Sequence, residues 1–566
     1  HLPGLDAKAS RLPSWTDIGA SLAPDATVLL IDVDTLQRVP LWAELDAHAA
    51  NEADRLLTIR PAVALPEGHR FVVALRGMAD SSGTPIEPSP VFRVYRDGLT
   101  TDLPAIEDRR DEMESDFAVL ADAGIEPHEL QLAWDFTVAS ERSISERMLH
   151  IRDTALALLG DAPPAFRVDA IRQSPQRGVF LQIEGTFDVP NFLTGDGSPG
   201  NGFNYSADPA ANPDELPAQN PTNPVVRAPF VCNVPVAAII TPEPAHLVIY
   251  GHGLLGDHHE IDAGNVTDMG NEHNVVHCAT KWAGMSEDDV ANAASTLTNM
   301  GNFRTVADRL QQGVLNQIFL GRLMTKPGGL ADLPRLRRAN GQPLVDATHL
   351  DYDGNSQGGI MGLMLAAVSP DIERAVLGVP GMNYSLLLPR SVDFDTYEAV
   401  MKPAYPNDLD RTLIFGATQM LWDRGEGGGY AQHLTSDPYA DTPVKQVLLD
   451  VALGDHQVTP LSAMVEARTI GATIHRPVAA AGRWAETEPG WGLESTVYPS
   501  RGSAIIMWDS GVNPIPLENR PPRAGDDSHE DPRADRTVRE QKATFLFLNR
   551  LDDVCNGGTC RAGHRP

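Results

Sequence analysis

The residues most able to do chemistry in this chain are a serine set between two glycines, Gly354-Asn-Ser356-Gln-Gly358. A serine hydroxyl is a weak nucleophile until a neighbouring base takes its proton, so its setting matters more than its type. Here the strand-like run His349-Leu-Asp-Tyr-Asp leads into the pentapeptide, and the helix-forming run Ile360-Met-Gly-Leu-Met-Leu-Ala-Ala follows at once. Strand, sharp turn and helix are the setting of a nucleophile elbow, in which Gly354 and Gly358 leave space that a Cβ would fill. By average composition such a pentapeptide arises about 0.2 times in a chain of this length, so its placement carries the reading.

Elements able to hold such a turn surround it. From residue 178 onward short apolar runs alternate with helical patterns, which predicts a mainly parallel sheet of about eight strands flanked by helices. The expected strands are 178–187, 234–240, 246–251, 274–280, 348–353, 374–379, 446–452 and 503–508. The first hundred residues are β-rich, with runs at 26–33, 56–59 and 70–75 punctuated by Gly, Pro and Asp. An acidic helix over 105–125, a strand over 130–138 and a second helix over 141–159 follow. Residues 191–227, dense in Asn, Pro, Gly and Asp, read as a long surface loop.

The elbow in this setting resembles the α/β-hydrolase superfamily, and within it bacterial lipases and esterases. The resemblance implies an oxyanion hole from the loop after the strand His246-Leu-Val-Ile-Tyr-Gly, whose sequence His252-Gly253-Leu254 fits. Its backbone donors would be Leu254 and Gln357, the residue after the serine. It also implies an acid after the next-to-last strand, where Gly454-Asp455-His456-Gln-Val458-Thr-Pro460 matches with one inserted residue. Asp455 is the expected acid and Asp450, inside the strand, its rival. The base should follow the last strand, and His529 lies between that strand and the final helical run 537–548, with His456 the main rival. The order Ser356, Asp455, His529 is that of the superfamily. Residues 382–445, between two strands, carry Leu386-Leu-Leu, Tyr405, Met420-Leu-Trp and Tyr430, which reads either as a lid over an apolar acyl pocket or as an insertion packed on the sheet. The stretch 58–86 resembles the small Ig-like modules that precede many secreted bacterial proteins, implying a β-sandwich. The expected organisation is an Ig-like β domain over 1–104, a connecting region over 105–165 and an α/β-hydrolase catalytic domain over 166–566.

Composition narrows the function classes. Acidic residues outnumber basic ones by 76 to 45, a net charge of -31, so phosphate backbones are repelled and nucleic acid is excluded as a partner. No apolar run is long enough to span a bilayer. The tail Cys555-Asn-Gly-Gly-Thr-Cys560 reads as a disulfide clasp, leaving Cys232 and Cys278 to pair, and such bridges point to a secreted, cell-surface or periplasmic bacterial protein. Neighbouring ligands such as Asp257, His258, His259, Glu260 and Asp262 rarely converge on one ion, and the Asp/Asn residues of 195–216 lack EF-hand spacing, so no metal is expected. No organic cofactor is needed. The expected activity is hydrolysis of a small-molecule or polymeric carboxylic ester with an apolar acyl group, through an acyl-enzyme. The alternatives are a polyester depolymerase and a non-catalytic surface-binding protein on a hydrolase scaffold.

Overall fold

A computed structural model describes residues 1–208, 212 and 214–563. Five short strands form in the N-terminal part: β1 (Val28–Asp32), β2 (Leu41–Leu45), β3 (Leu57–Pro61), β4 (Arg70–Arg76) and β5 (Leu130–Thr137). β1, β4 and β5 pair antiparallel in the order β1-β4-β5, and β2 pairs with β3 as a separate ribbon. Period-two alternation sends Leu29, Ile31, Val72 and Ala74 to one face, where they bury against Phe92, Met113 and Leu120 of the helices Pro90–Arg96 and Arg110–Asp122. Val28, Leu30, Phe71, Val73 and Leu75 bury on the other face with Leu41 and Ala43 of the ribbon. The small β-sandwich expected for residues 1–104 therefore takes another form here, with helices covering one face of a three-stranded sheet and a two-stranded ribbon covering the other. Its third strand, β5, comes from the stretch expected to connect two domains. That stretch also sends Met148, Ile151 and Ala155 of the helix Glu146–Leu159 into the main core.

The remaining strands are β6 (Phe166–Gln173), β7 (Val179–Pro190), β8 (Val225–Pro235), β9 (His246–Gly251), β10 (Val275–Ala279), β11 (Asp351–Asn355), β12 (Arg374–Gly378), β13 (Gln446–Ala452), β14 (Thr473–Ile474) and β15 (Ala504–Trp508). They make one ten-stranded sheet in the order β14-β15-β13-β12-β11-β9-β10-β8-β7-β6. From β14 to β10 neighbours are parallel; β8, β7 and β6 are added antiparallel. β9, β10, β12, β13 and β15 read as largely apolar runs because helices cover both faces, whereas central β11 carries Asp351 and Asp353, the latter paired with buried Lys542. The helix Gln357–Val368 is buried along its whole length, which its Gly, Ala, Leu and Met content permits.

The architecture agrees with the expected α/β class, with two strands more than the sequence suggested. β6 alternates half-buried and exposed residues before an exposed end, with Arg and Asp on the open face, as an edge strand does, and β14 is only two residues long. The expected strand over 234–240 begins earlier, at Val225, inside the segment read as a loop. It stops at Pro235, which has no N–H to continue the ladder; Ala237–Ile240 then forms a helical turn with Ile240 exposed. Residues 209–211 and 213 of that loop lie outside the described residues.

Strand order sets where a ligand can sit. The chain passes from β9 to β10 on one side, then crosses back to β11 on the other side of β9. Such a switch in direction opens a crevice outside the carboxyl ends of the two diverging strands, here β9 and β11.

Both expected disulfides form. Cys232 and Cys278 face each other in register across β8 and β10, and Cys555 joins Cys560. Closing a loop of 46 residues restricts the unfolded chain by about 4 kcal/mol. Replacing Cys232 and Cys278 together by alanine should lower the unfolding free energy by about that amount. Urea titration measures it, and an unchanged midpoint would contradict it.

Candidate active site

β11 ends at Asn355, and Ser356 stands between it and the helix Gln357–Val368 with φ 59° and ψ -123°. A non-glycine residue in that region costs about 1–3 kcal/mol and persists only where its surroundings enforce it. The enforcement is close packing of backbone on backbone. A Cβ on Gly358 would collide with the Gly251 carbonyl oxygen at the end of β9, and one on Gly354 would collide with the Gly358 carbonyl. The Tyr352 hydroxyl, fully buried beneath the turn, donates to that same Gly358 oxygen. Ser356 is thereby held at the crevice, 6% exposed.

The loop after β9 is clamped at two successive peptides. Trp282 N–H donates to His252 Nε2 at 2.9 Å, so the ring proton sits on Nδ1, which donates to the Gly253 carbonyl at 2.9 Å. Burial pushes the His252 pKa down to about 4, which keeps this neutral tautomer. The Gly253 N–H donates to Glu260 Oε2 at 2.7 Å, and Glu260 Oε1 accepts from the Tyr250 hydroxyl at 2.9 Å. In a trans peptide the C=O and N–H point in opposite directions, so anchoring the Gly253 oxygen on His252 aims the Leu254 N–H the other way. A Cβ on Gly253 would lie 4.0 Å from the Ser356 Cβ, which puts this loop beside the serine. Gln357 opens its helix, so its N–H is among those with no acceptor inside the helix. Its side-chain oxygen is held by the Tyr384 hydroxyl.

Asp455 follows β13 and His529 follows β15, so all these loops leave the carboxyl ends of parallel strands. Asp455 Oδ2 accepts from His529 Nδ1 at 2.8 Å, with side-chain exposures of 1% and 2%. Asp455 Oδ1 takes the N–H groups of Gln457 and Val458 at 2.8 and 2.9 Å, which fixes the carboxylate plane. Burial disfavours charge on His529, but the charge and hydrogen bond of Asp455 outweigh it and raise the ring's pKa. Asp527 braces the two loops against each other: Oδ1 accepts from the N–H groups of His456 and His529, and Oδ2 from the Gln457 side chain. Burial opposes the charge on Asp527, yet these bonds and His529 hold its pKa below the ordinary carboxylate value.

The rival residues lie elsewhere. Asp450 Oδ1 accepts from Trp508 Nε1 at 3.0 Å, and burial pushes its pKa up to about 6. His456 has a buried Nε2 without a hydrogen-bond partner. The acidic and histidine residues of 257–262 do not converge. Both Glu260 oxygens are engaged as described, and Asp262 Oδ1 is taken by Gln182 and Asn233 at 2.8 and 2.7 Å. Among the described residues the groups close enough to share an ion are Asp32, Asp34 and His69 in the N-terminal unit, and His475 with Cys555 and Cys560, whose sulfurs are bonded to each other.

Two cavities of unlike chemistry meet at Ser356. One, about 420 Å³, is polar: Ser356 and His529 share it with Glu260, Asn265, Gln457 and Arg533. The other, about 110 Å³, is apolar, walled by Met300, Phe303, Ile360 and the 382–445 side chains Leu388, Phe394 and Trp422. Trp422 and Tyr430, whose pattern suggested exposure, are buried, and Trp422 stacks on Tyr384 at 4.0 Å. The segment thus both packs on the sheet and walls the pocket. Glu260, Asp527 and Tyr384 were not singled out for these roles from sequence. Glu260 stood out there only as part of a metal-like cluster, and Asp527 only as a neighbour of His529.

No protein-family model matches the chain, and no curated protein matches it. Among solved structures it is similar to acetyl xylan esterase 1 from Thermoanaerobacterium sp. JW/SL YS485, with 13% identity, TM-score 0.35, and coverage of 67% of this chain and 90% of that one. It is similar also to an S-formylglutathione hydrolase from Agrobacterium tumefaciens, with 14% identity, TM-score 0.30, and coverage of 61% and 91%. A CE15 glucuronoyl esterase from Teredinibacter turnerae T7901 shares 11% identity, TM-score 0.28, and coverage of 56% and 71%. Likeness at this level says nothing of what this chain acts on.

The clamp on the loop after β9 makes a spectroscopic prediction. With ¹⁵N-labelled histidine, His252 should show the Nδ1–H tautomer across neutral pH and titrate near pH 4. A ring that protonates near its ordinary 6.5 would rule out the hydrogen bond from Trp282.

Proposed function

We propose that the protein is a serine carboxylic-ester hydrolase of the α/β-hydrolase type, exported from a bacterium, in which Ser356, His529 and Asp455 act as a triad. The observation that carries this reading is the buried 2.8 Å pair of Asp455 and His529, sharing a cavity with a serine held at positive φ. In the proposed reaction the Ser356 oxygen attacks the ester carbonyl while His529 Nε2 takes its proton, with Asp455 steadying the imidazolium from Nδ1. The carbonyl oxygen, now negative, is met by the N–H groups of Leu254 and Gln357, donors worth roughly 10²–10³ in rate apiece. Collapse breaks the bond to the alcohol, which leaves with the proton from His529. Water then repeats the sequence on the acyl-enzyme and restores the serine. The apolar cavity suits the acyl group and the polar one suits the departing alcohol. The two disulfides favour an oxidising compartment, and the N-terminal unit serves as a spacer or docking module in this reading.

A fluorophosphonate should label Ser356 covalently, and Ser356→Ala should abolish both labelling and p-nitrophenyl ester hydrolysis while leaving the circular dichroism unchanged. His529→Ala should lower kcat by roughly 10⁴, whereas His456→Ala, outside the acid–base pair, should cost far less. An inactive His456→Ala with a near-normal His529→Ala would reverse the assignment. Because the base must be neutral to accept a proton and its pKa is raised, kcat/KM should climb with pH through a value above 6.5. An acid limb well below 6.5 would count against His529 as the base.

A further inference from the structure

A second large cavity, about 620 Å³, lies between the N-terminal sheets and the 382–445 segment. Leu57 and Ile59 of β3 and Trp134 and Phe136 of β5 line one side; Leu413 and Met420 of the helix Asp408–Trp422 line the other. Its charged groups already have partners. Arg60 pairs with Glu44, Arg411 with Asp408, and Asp46 accepts from Asn519 and Thr412, while His48 Nε2 meets the Pro389 carbonyl at 2.8 Å. Apolar surface stays open there, Leu413 being 58% and Met420 66% exposed. A polar ligand would find little to bind, and an apolar one would cover what water now touches.

This chamber adjoins the pocket at Ser356. Leu388, Phe394 and Phe415 line both cavities, and the two rings pack edge to face at 5.5 Å, so the partition is one side chain thick. The pocket beside the serine, about 110 Å³, takes roughly four groups of water size, enough for a short acyl chain alone. For a longer apolar chain the next apolar surface lies past the partition.

We propose that the chamber is the distal half of the acyl site and that the substrates are esters of long, unbranched, apolar acids. The carbonyl lies at Ser356, the chain passes between Leu388, Phe394 and Phe415, and its tail is covered jointly by the N-terminal unit and the cap. This rests on the ester-hydrolase reading of Ser356. It gives the N-terminal unit a part in substrate selection that a spacer would not have.

The test is a double variant on the chamber's far wall, Leu413→Glu with Met420→Glu. Both side chains are exposed, so the fold should tolerate the change. Kinetics are measured on p-nitrophenyl butanoate and dodecanoate. Each methylene buried in apolar surroundings favours binding by roughly fourfold, so the wild type should prefer dodecanoate in kcat/KM. The variant should lose at least tenfold on dodecanoate and keep its butanoate rate. Phe415→Ala, which thins the partition, should move selectivity the opposite way. An unchanged dodecanoate-to-butanoate ratio in the double variant overturns the proposal, as does a change confined to the protein's self-association. If the wild type hydrolyses neither ester and resists fluorophosphonate, the ester-hydrolase reading fails instead. Binding of fluorescent cis-parinaric acid by the wild type and the double variant then decides the chamber alone: equal binding, or none, overturns it, and binding weakened at least tenfold in the variant upholds it.

Discussion

The close approach of β9, β11 and the helix after Ser356 is the constraint on which the site depends. Gly251, Gly354 and Gly358 sit so near one another that none has room for a Cβ without displacing backbone or the Tyr352 hydroxyl. This packing holds the serine at a positive φ. It also brings the loop after β9 alongside the serine, because strand and loop are continuous. One steric condition thus sets both the conformation of Ser356 and the position of the loop beside it. The strain at Ser356 is balanced by the burial of the whole following helix, whose apolar side chains anchor the turn from one side.

Electrostatics then divides labour among histidines in one crevice. His252 and His529 are both buried, but burial meets different partners. His252 has a backbone donor on one nitrogen and a backbone carbonyl on the other; burial outweighs the pull of that carbonyl and of nearby acids, and the ring stays neutral. His529 has a carboxylate on Nδ1, and its affinity for a proton rises despite burial. The ring that holds a peptide is thereby kept from titrating near neutrality, while the ring paired with a carboxylate takes up a proton more readily. Asp527 adds the geometric condition, since one carboxylate ties the loop of Asp455 to that of His529.

Much of this was legible in the sequence where the signal is local. The sharp turn at Ser356 is written in two glycines and a serine at fixed spacing, and the loops that bring Asp455 and His529 into contact follow apolar strands where the chain order suggests. The pairing of the cysteines was legible too, because few arrangements were open. What escaped was set by contacts between distant parts of the chain. β8 was misplaced because its early residues, Val225 to Pro229, sit among loop-like neighbours and become a strand only by pairing with β7. β5 looked like a connector because nothing in residues 130–137 says that its partner is β4, some sixty residues earlier. Glu260 and Asp527 were hidden for the opposite reason: they stand in conspicuous clusters, but which neighbour each one holds depends on how two loops meet.

The same long-range contacts tie the N-terminal unit to the cap. Arg60 of β3 bonds Glu44 of β2 and the Ser385 carbonyl, Arg390 of the cap bonds Glu44 in turn, and Asp46 is shared by Thr412 and Asn519. Glu44 is buried, and the two guanidiniums on it outweigh that burial and hold its pKa below the ordinary carboxylate value. Surface ion pairs are worth little, but breaking a buried one strands a charge at a cost of several kcal/mol. This interface is therefore more than a loose contact between two parts of the chain. Any movement of the segment 382–445 that opened the pocket at Ser356 would have to carry β2 and β3 with it, or break the Arg–Glu–Arg cluster. The Arg–Glu–Arg cluster thus ties the segment 382–445 to the ribbon of β2 and β3 at more than one point.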